Sequence, residues 1–132
     1  MFTPSARARV LPSGATALQT SYADPRVRVC VALDTWMLPL EPELIENGLH
    51  IPVLFQQGDH FQRWEENSSV KRKLVSVCSK ESVLFALRKT RHHNFSDVPW
   101  LSVPVLQYMR TIGRINPDVA LRIILNKTIL SV

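Results

Sequence analysis

Only two cysteines, Cys30 and Cys78, occur among 132 residues, one inside an apolar run and one in a short segment, so a disulfide framework is not expected and reduced core thiols are. No window reaches 18 consecutive apolar residues, and the N-terminus lacks the charged-then-apolar order of a secretory leader. Neither a membrane span nor export is therefore legible, and the cytoplasm is the default expectation for compartment. No zinc-finger, helix-turn-helix or RNA-recognition signature accompanies the net charge of +5, so nucleic acid is not an expected partner. Nothing calls for a metal or a cofactor. The positive charge is dispersed, densest at Lys71-Arg72-Lys73 and around Arg88, Lys89 and Arg91, and implies no more than weak attraction to anionic surfaces.

What is present suits one globular domain: 45% hydrophobic residues with 20% charged is the balance of a chain that buries a core. Residues 1–13 have little periodicity and two prolines, and read as an irregular segment. A short helix is expected from Ser13-Gly14 onward, ended by Asp24-Pro25. Residues 27–33 (VRVCVAL) read as a buried strand, because β-branched residues are enriched and alternate. An acidic, proline-bearing loop is expected to about Leu49. IPVLFQ at 51–56 reads as a second buried strand, Arg63 to Lys73 as a helix, and residues 82–87 (SVLFAL) as a third strand. A helix kinked or started near Pro104 follows, and then one capped by Asn116 with Pro117 at its first position. Strands alternating with helices predict an α/β fold with about three parallel strands and flanking helices.

In such a sheet the strands deliver their carboxyl ends to one rim, where open α/β sheets bind ligands and do chemistry. Asp34 leaves the first strand and the His92-His93-Asn94-Phe95 segment follows the third, so an acid and an imidazole come to the same rim. In a hydrolytic triad the Asp holds one imidazole nitrogen while the other takes a proton from the nucleophile. The plainer alternatives are an Asp that ends a strand and starts a turn, and a solvated His-His pair.

"SGATALQTSYADPRVRVCVALDTWMLPL", "IPVLFQQGDHFQRW", "RHHNFSDV" and "INPDVALRIILNKTILSV" resemble, in order and with similar spacing, successive segments of the C-terminal half of platelet-activating factor acetylhydrolases, the plasma-type and intracellular group VII/VIII phospholipases A2. The resemblance covers residues 14–132 and is most specific at Asp-x-Trp-Met-x-Pro-Leu and His-x-Asn-Phe-x-Asp. It implies a partial α/β-hydrolase fold, with residues 14–132 as the C-terminal part of that domain. It also implies calcium-independent hydrolysis, by a Ser-Asp-His triad, of phospholipids with a short or oxidised sn-2 acyl chain, and contact with a lipid surface. Asp34 resembles the triad acid, His92 the triad base and Trp36 a residue near the substrate pocket, while His93 falls on a variable neighbour. Secreted relatives are part of what the resemblance implies about compartment.

The family's nucleophile elbow, Gly-His-Ser-Phe-Gly-Gly before Ala-Thr, is not matched. Counting back from Gly14-Ala15-Thr16, Leu11 holds the place of the serine and Pro12 the next. Leucine has no attacking group, and proline has no N–H for an oxyanion hole. Ser13 stands two residues late and without the flanking glycines of the strained turn. Loss of a triad serine costs on the order of a million-fold in rate, so the chain is expected to be inactive by itself. With the neighbouring strand missing, strand 27–33 is expected to expose an apolar edge, favouring self-association and marginal stability. Two other readings stand beside this one: a non-catalytic truncated isoform that binds another chain through that edge, and a basic module for anionic partners.

Overall fold

Three apolar runs, each bounded by proline, glycine or polar residues, are short enough to be strands and too continuous to be amphipathic helices. The computed structural model describes residues 14–96 and 98–131, with side chains through residue 128. The irregular reading of residues 1–13 lies outside the described residues, and so do Leu11, Pro12 and Ser13. Along the chain the elements are α1 (Gly14–Ala23), β1 (Cys30–Leu33), α2 (Pro42–Asn47), β2 (Val53–Gly58), α3 (Asp59–Arg63), α4 (Glu65–Val77), β3 (Val83–Leu87), α5 (Val103–Tyr108) and α6 (Pro117–Ser131). Two 3-10 turns, His92–Phe95 and Val98–Trp100, lie between β3 and α5.

The strands form one sheet in the order β1-β2-β3, parallel at both pairings, as the alternation of elements predicts. Cys30 lies opposite Val53 and Gly58 opposite Leu87. Because strand side chains alternate between faces, Cys30, Ala32, Val53 and Phe55 meet α1, α2 and α4 through Leu18, Leu44 and Leu74. On the other face Leu33 and Leu87 meet Ala120 and Ile124 of α6. Gln56, also on that face, donates from Nε2 to Thr128 Oγ1 at 2.8 Å and to the Ile124 carbonyl at 3.3 Å, tying β2 to α6. Both faces of the parallel sheet are thus covered, as such sheets require.

Several boundaries move. The first strand is Cys30–Leu33 rather than residues 27–33, because pairing starts only where the Cys30 N–H reaches the Pro52 carbonyl (3.0 Å). The second is Val53–Gly58 rather than residues 51–56, running on through Gln57 and Gly58, which read in the sequence as its boundary. The stretch read as an acidic loop contains α2, which begins with Pro42 and buries Leu44; proline is preorganised for a first helical turn. The helix expected over 63–73 is two helices, α3 and α4, meeting at Trp64. Pro104 lies in the first turn of α5 and starts it rather than kinking it. Asn116 caps α6 as expected, its Oδ1 accepting from the Asp118 N–H at 2.9 Å. Both cysteines are free; burial pushes the Cys30 thiol up to about 11. No helix of the described residues is long and apolar enough to cross a membrane.

Candidate active site

All three strands end at one rim, and Asp34 is the first residue beyond β1. Its N–H donates to the Gln56 carbonyl at 2.6 Å, which fixes the backbone just where β1 stops. Its φ of +40° lies in the left-handed region, which costs a residue with a Cβ of order 1 kcal/mol but which Asp tolerates better than most. That turn aims the carboxylate across the ends of β2 and β3. Oδ1 accepts the Gly58 N–H at 2.6 Å and Oδ2 meets His92 Nδ1 at 2.8 Å. Asp34 is 1% exposed, whereas the His92 side chain is 55% exposed.

Asp34 and His92, expected to share a rim, are therefore in direct contact. An ionised carboxylate can only accept, so Nδ1 carries the proton and donates, leaving Nε2 as the basic nitrogen. No described residue bonds Nε2. The hydrogen bond to Asp34 raises the His92 pKa above its ordinary value, against the lowering effect of partial burial. Phe61 of α3 stacks on the imidazole with ring centroids 5.2 Å apart and planes at 19°, a contact that restricts the ring's rotation. His93 meets it edge-on at 5.7 Å and forms no ion pair with Asp34.

Trp36 sits on the same turn as Asp34, 51% exposed. The turn is clamped from behind by Asn67 of α4, a fully buried residue that accepts the Met37 N–H (2.6 Å) and donates to the Thr35 carbonyl (3.1 Å). From α1, Gly14 presses on the same turn: a Cβ there would fall 1.8 Å from Thr35 Oγ1, so only glycine allows this approach.

Sequence reading missed four residues of this region. Lys71, read as part of a basic cluster with weak attraction to anionic surfaces, is 2% exposed, with Nζ donating to Gln57 Oε1 at 2.9 Å. Burial lowers its pKa to about 8, partly countered by attraction to Asp34. Gly58 was read as a strand boundary and is also the donor to Asp34. Asn67 carried one legible signal, its poor fit to a helix interior. Asn94 joins two loops, accepting from the Arg91 and Gly113 N–H groups at 2.8 Å each; it stands in the His-x-Asn-Phe-x-Asp motif, but that motif gives it no role. Among the described residues no three His, Cys, Asp or Glu side chains gather as a metal site.

A protein-family model described as platelet-activating factor acetylhydrolase, isoform II, matches residues 12–131. Among curated relatives, the platelet-activating factor acetylhydrolase of Canis lupus familiaris is 35% identical over 109 residues, covering 82% of this chain and 24% of the relative. That of Cavia porcellus is 29% identical over 112 residues (84% and 25%), and that of Gallus gallus 28% over 111 residues (83% and 26%). The chain spans about a quarter of the length of the relatives it matches. Its three parallel strands with flanking helices agree with the partial α/β fold that the resemblance implies.

Proposed function

Because this chain belongs to the platelet-activating factor acetylhydrolase, isoform II, family, we propose that it carries the acid and base of an ester-hydrolysing triad, Asp34 and His92, while none of its own residues supplies the nucleophile. The observation that carries this reading is the 2.8 Å contact between a fully buried carboxylate and a half-exposed imidazole. Asp34 selects the tautomer and stabilises the imidazolium, and His92 Nε2 takes the proton of an attacking hydroxyl and returns it to the departing alcohol. The net reaction consumes one water and splits one sn-2 ester into a lysophospholipid and a short acid. The substrate class is a phospholipid with a short or oxidised sn-2 acyl chain. Contact with a lipid surface is supported by Trp100, Leu101, Val105, Tyr108 and Met109, which all stand exposed on and beside α5; such amphipathic segments seat in the headgroup region.

The test compares hydrolysis of a short-chain sn-2 phospholipid by this chain and by a chimera in which residues 1–13 are replaced by preceding strands ending in the Gly-His-Ser-Phe-Gly elbow that the resemblance implies. The chain alone is expected to be silent and the chimera active, with His92→Ala in the chimera removing on the order of a thousand-fold or more. Turnover by the 132-residue chain, or a chimera indifferent to His92→Ala, overturns the proposal. Proton titration of His92 by NMR tests the pair without the chimera: Asp34→Asn should lower its pKa.

A second reading, a non-catalytic chain that associates through its sheet edge, draws on β1 being paired only to β2 among the described residues. It predicts concentration-dependent oligomers on size-exclusion chromatography.

A further inference from the structure

Beside the Asp34–His92 pair, α3 and the segments 89–91 and 107–114 border a half-open cavity of about 690 Å³, within the size range of small-molecule sites. Among the described residues five cationic side chains line it, Arg63, Lys89, Arg91, Arg110 and Arg114, against one carboxylate, Asp59. That carboxylate is already engaged by Arg63 at 3.2 Å. None of Lys89, Arg91, Arg110 and Arg114 makes an ion pair with a described residue. Gathering like charges without counter-charge opposes folding, so the arrangement has to be held by the backbone around it.

It is held in three ways. The Gly113 N–H donates to Asn94 Oδ1 at 2.8 Å, and the Ile115 N–H to the Lys89 carbonyl at 3.2 Å. A Cβ on Gly113 would fall 1.8 Å from that same carbonyl, so glycine alone lets the two segments close. Thr90 and Ile112, both buried, form the floor. Lys89 (φ 61°) and Arg110 (φ 57°) are, with Asp34, the non-glycine residues at positive φ among the described residues. Backbone strain of this kind persists only where the surroundings enforce it and clusters at ligand sites.

We propose that this cavity binds a phosphate group. Guanidinium forks match phosphate oxygens two at a time and remain charged at every physiological pH. The deficit of acids disfavours a ligand with a cationic head, so the phosphate is that of an anionic lipid headgroup or of free phosphate. Tyr108 of α5 also lines the cavity, which puts a lipid-sized ligand within reach of the exposed apolar side chains.

The test is calorimetric titration of the 132-residue chain at low ionic strength with sodium phosphate and, separately, with monomeric dihexanoyl phosphatidic acid. Saturable binding is expected. Arg110→Gln combined with Arg114→Gln should weaken it about tenfold or more with the melting temperature unchanged, because both residues are exposed rim groups. Lys73→Gln combined with Lys80→Gln makes the same charge change on another surface and should leave binding intact. Tighter binding of the lipid identifies the headgroup as the source; equal binding identifies free phosphate. Failure of both ligands to bind, or equal weakening by both double variants, overturns the proposal. Because the readout is binding rather than ester cleavage, it is independent of the Asp34–His92 reading.

Discussion

The two faces of the sheet are packed to different standards. On one, α1, α2 and α4 enclose a continuous core around Leu18, Met37, Leu44, Phe55 and Leu74, all but inaccessible to water. On the other, α6 contributes Ala120 and Ile124 over Leu87, while its Val119, Leu121 and Leu125 remain exposed. The candidate site draws on both: Asn67 and Lys71 reach it from the thick side, whereas His92, α5 and the cavity's cations other than Arg63 lie in the segment between β3 and α6. The difference teaches that burial on the first face carries the stability, and leaves the carboxyl-end loops free to expose polar and strained residues.

The largest expected effect breaks that comparison directly. Phe55→Ala should cost about 3–5 kcal/mol and Ile124→Ala about 2 kcal/mol, read from urea denaturation; equal costs would mean that both faces bear the load alike. The losses are measured from a low baseline. We expect the chain by itself to melt below about 50 °C, at the weak end of mesophile domains, and a cooperative monomeric melt above that temperature would show that these strands suffice. Next in size, Asn67→Ala should cost about 1–3 kcal/mol by stranding the Met37 N–H and the Thr35 carbonyl, and should broaden the His92 resonance as the Asp34 turn loosens.

Smaller effects come from titration. Lys71 is the thick face's buried cation, and its pKa is lowered from 10.5 to about 8. The unfolded chain therefore holds more protons above pH 8, so stability rises with pH through that window. Between pH 7 and 9 the rise should be about 1 kcal/mol, seen as the difference between the parent chain and Lys71→Met, in which the opposing effect of the Cys30 thiol, which sets in from about pH 8, cancels. His92 is the smallest effect and has the opposite sign. Its raised pKa contributes stability that is full below pH 6.5 and lost as pH rises through the folded value; Asp34→Asn should erase that dependence.

The parts of this fold that were legible are those set by local pattern. The runs around Cys30–Leu33, Val53–Gly58 and Val83–Leu87 announce strands, Asn116-Pro117 announces the start of α6, and the placing of Asp34 and His92 after the first and third strands brings them to one rim. The strand ends moved because a strand's extent depends on where its neighbour can bond, as at Cys30 and Pro52. The segment 41–49 was misread because two turns of helix around one buried leucine leave too short a period to detect.

The sequence alone determined the class of sheet, its parallel sense and the pair of residues at its rim, since periodicity, turn chemistry and chain order are local properties. Tertiary structure alone decided that Lys71 is buried, that Gly58 and Asn67 hold the Asp34 turn, and that Arg63, Lys89, Arg91, Arg110 and Arg114 converge on one cavity. Burial and electrostatic company depend on partners distant in the chain, and no local pattern specifies them.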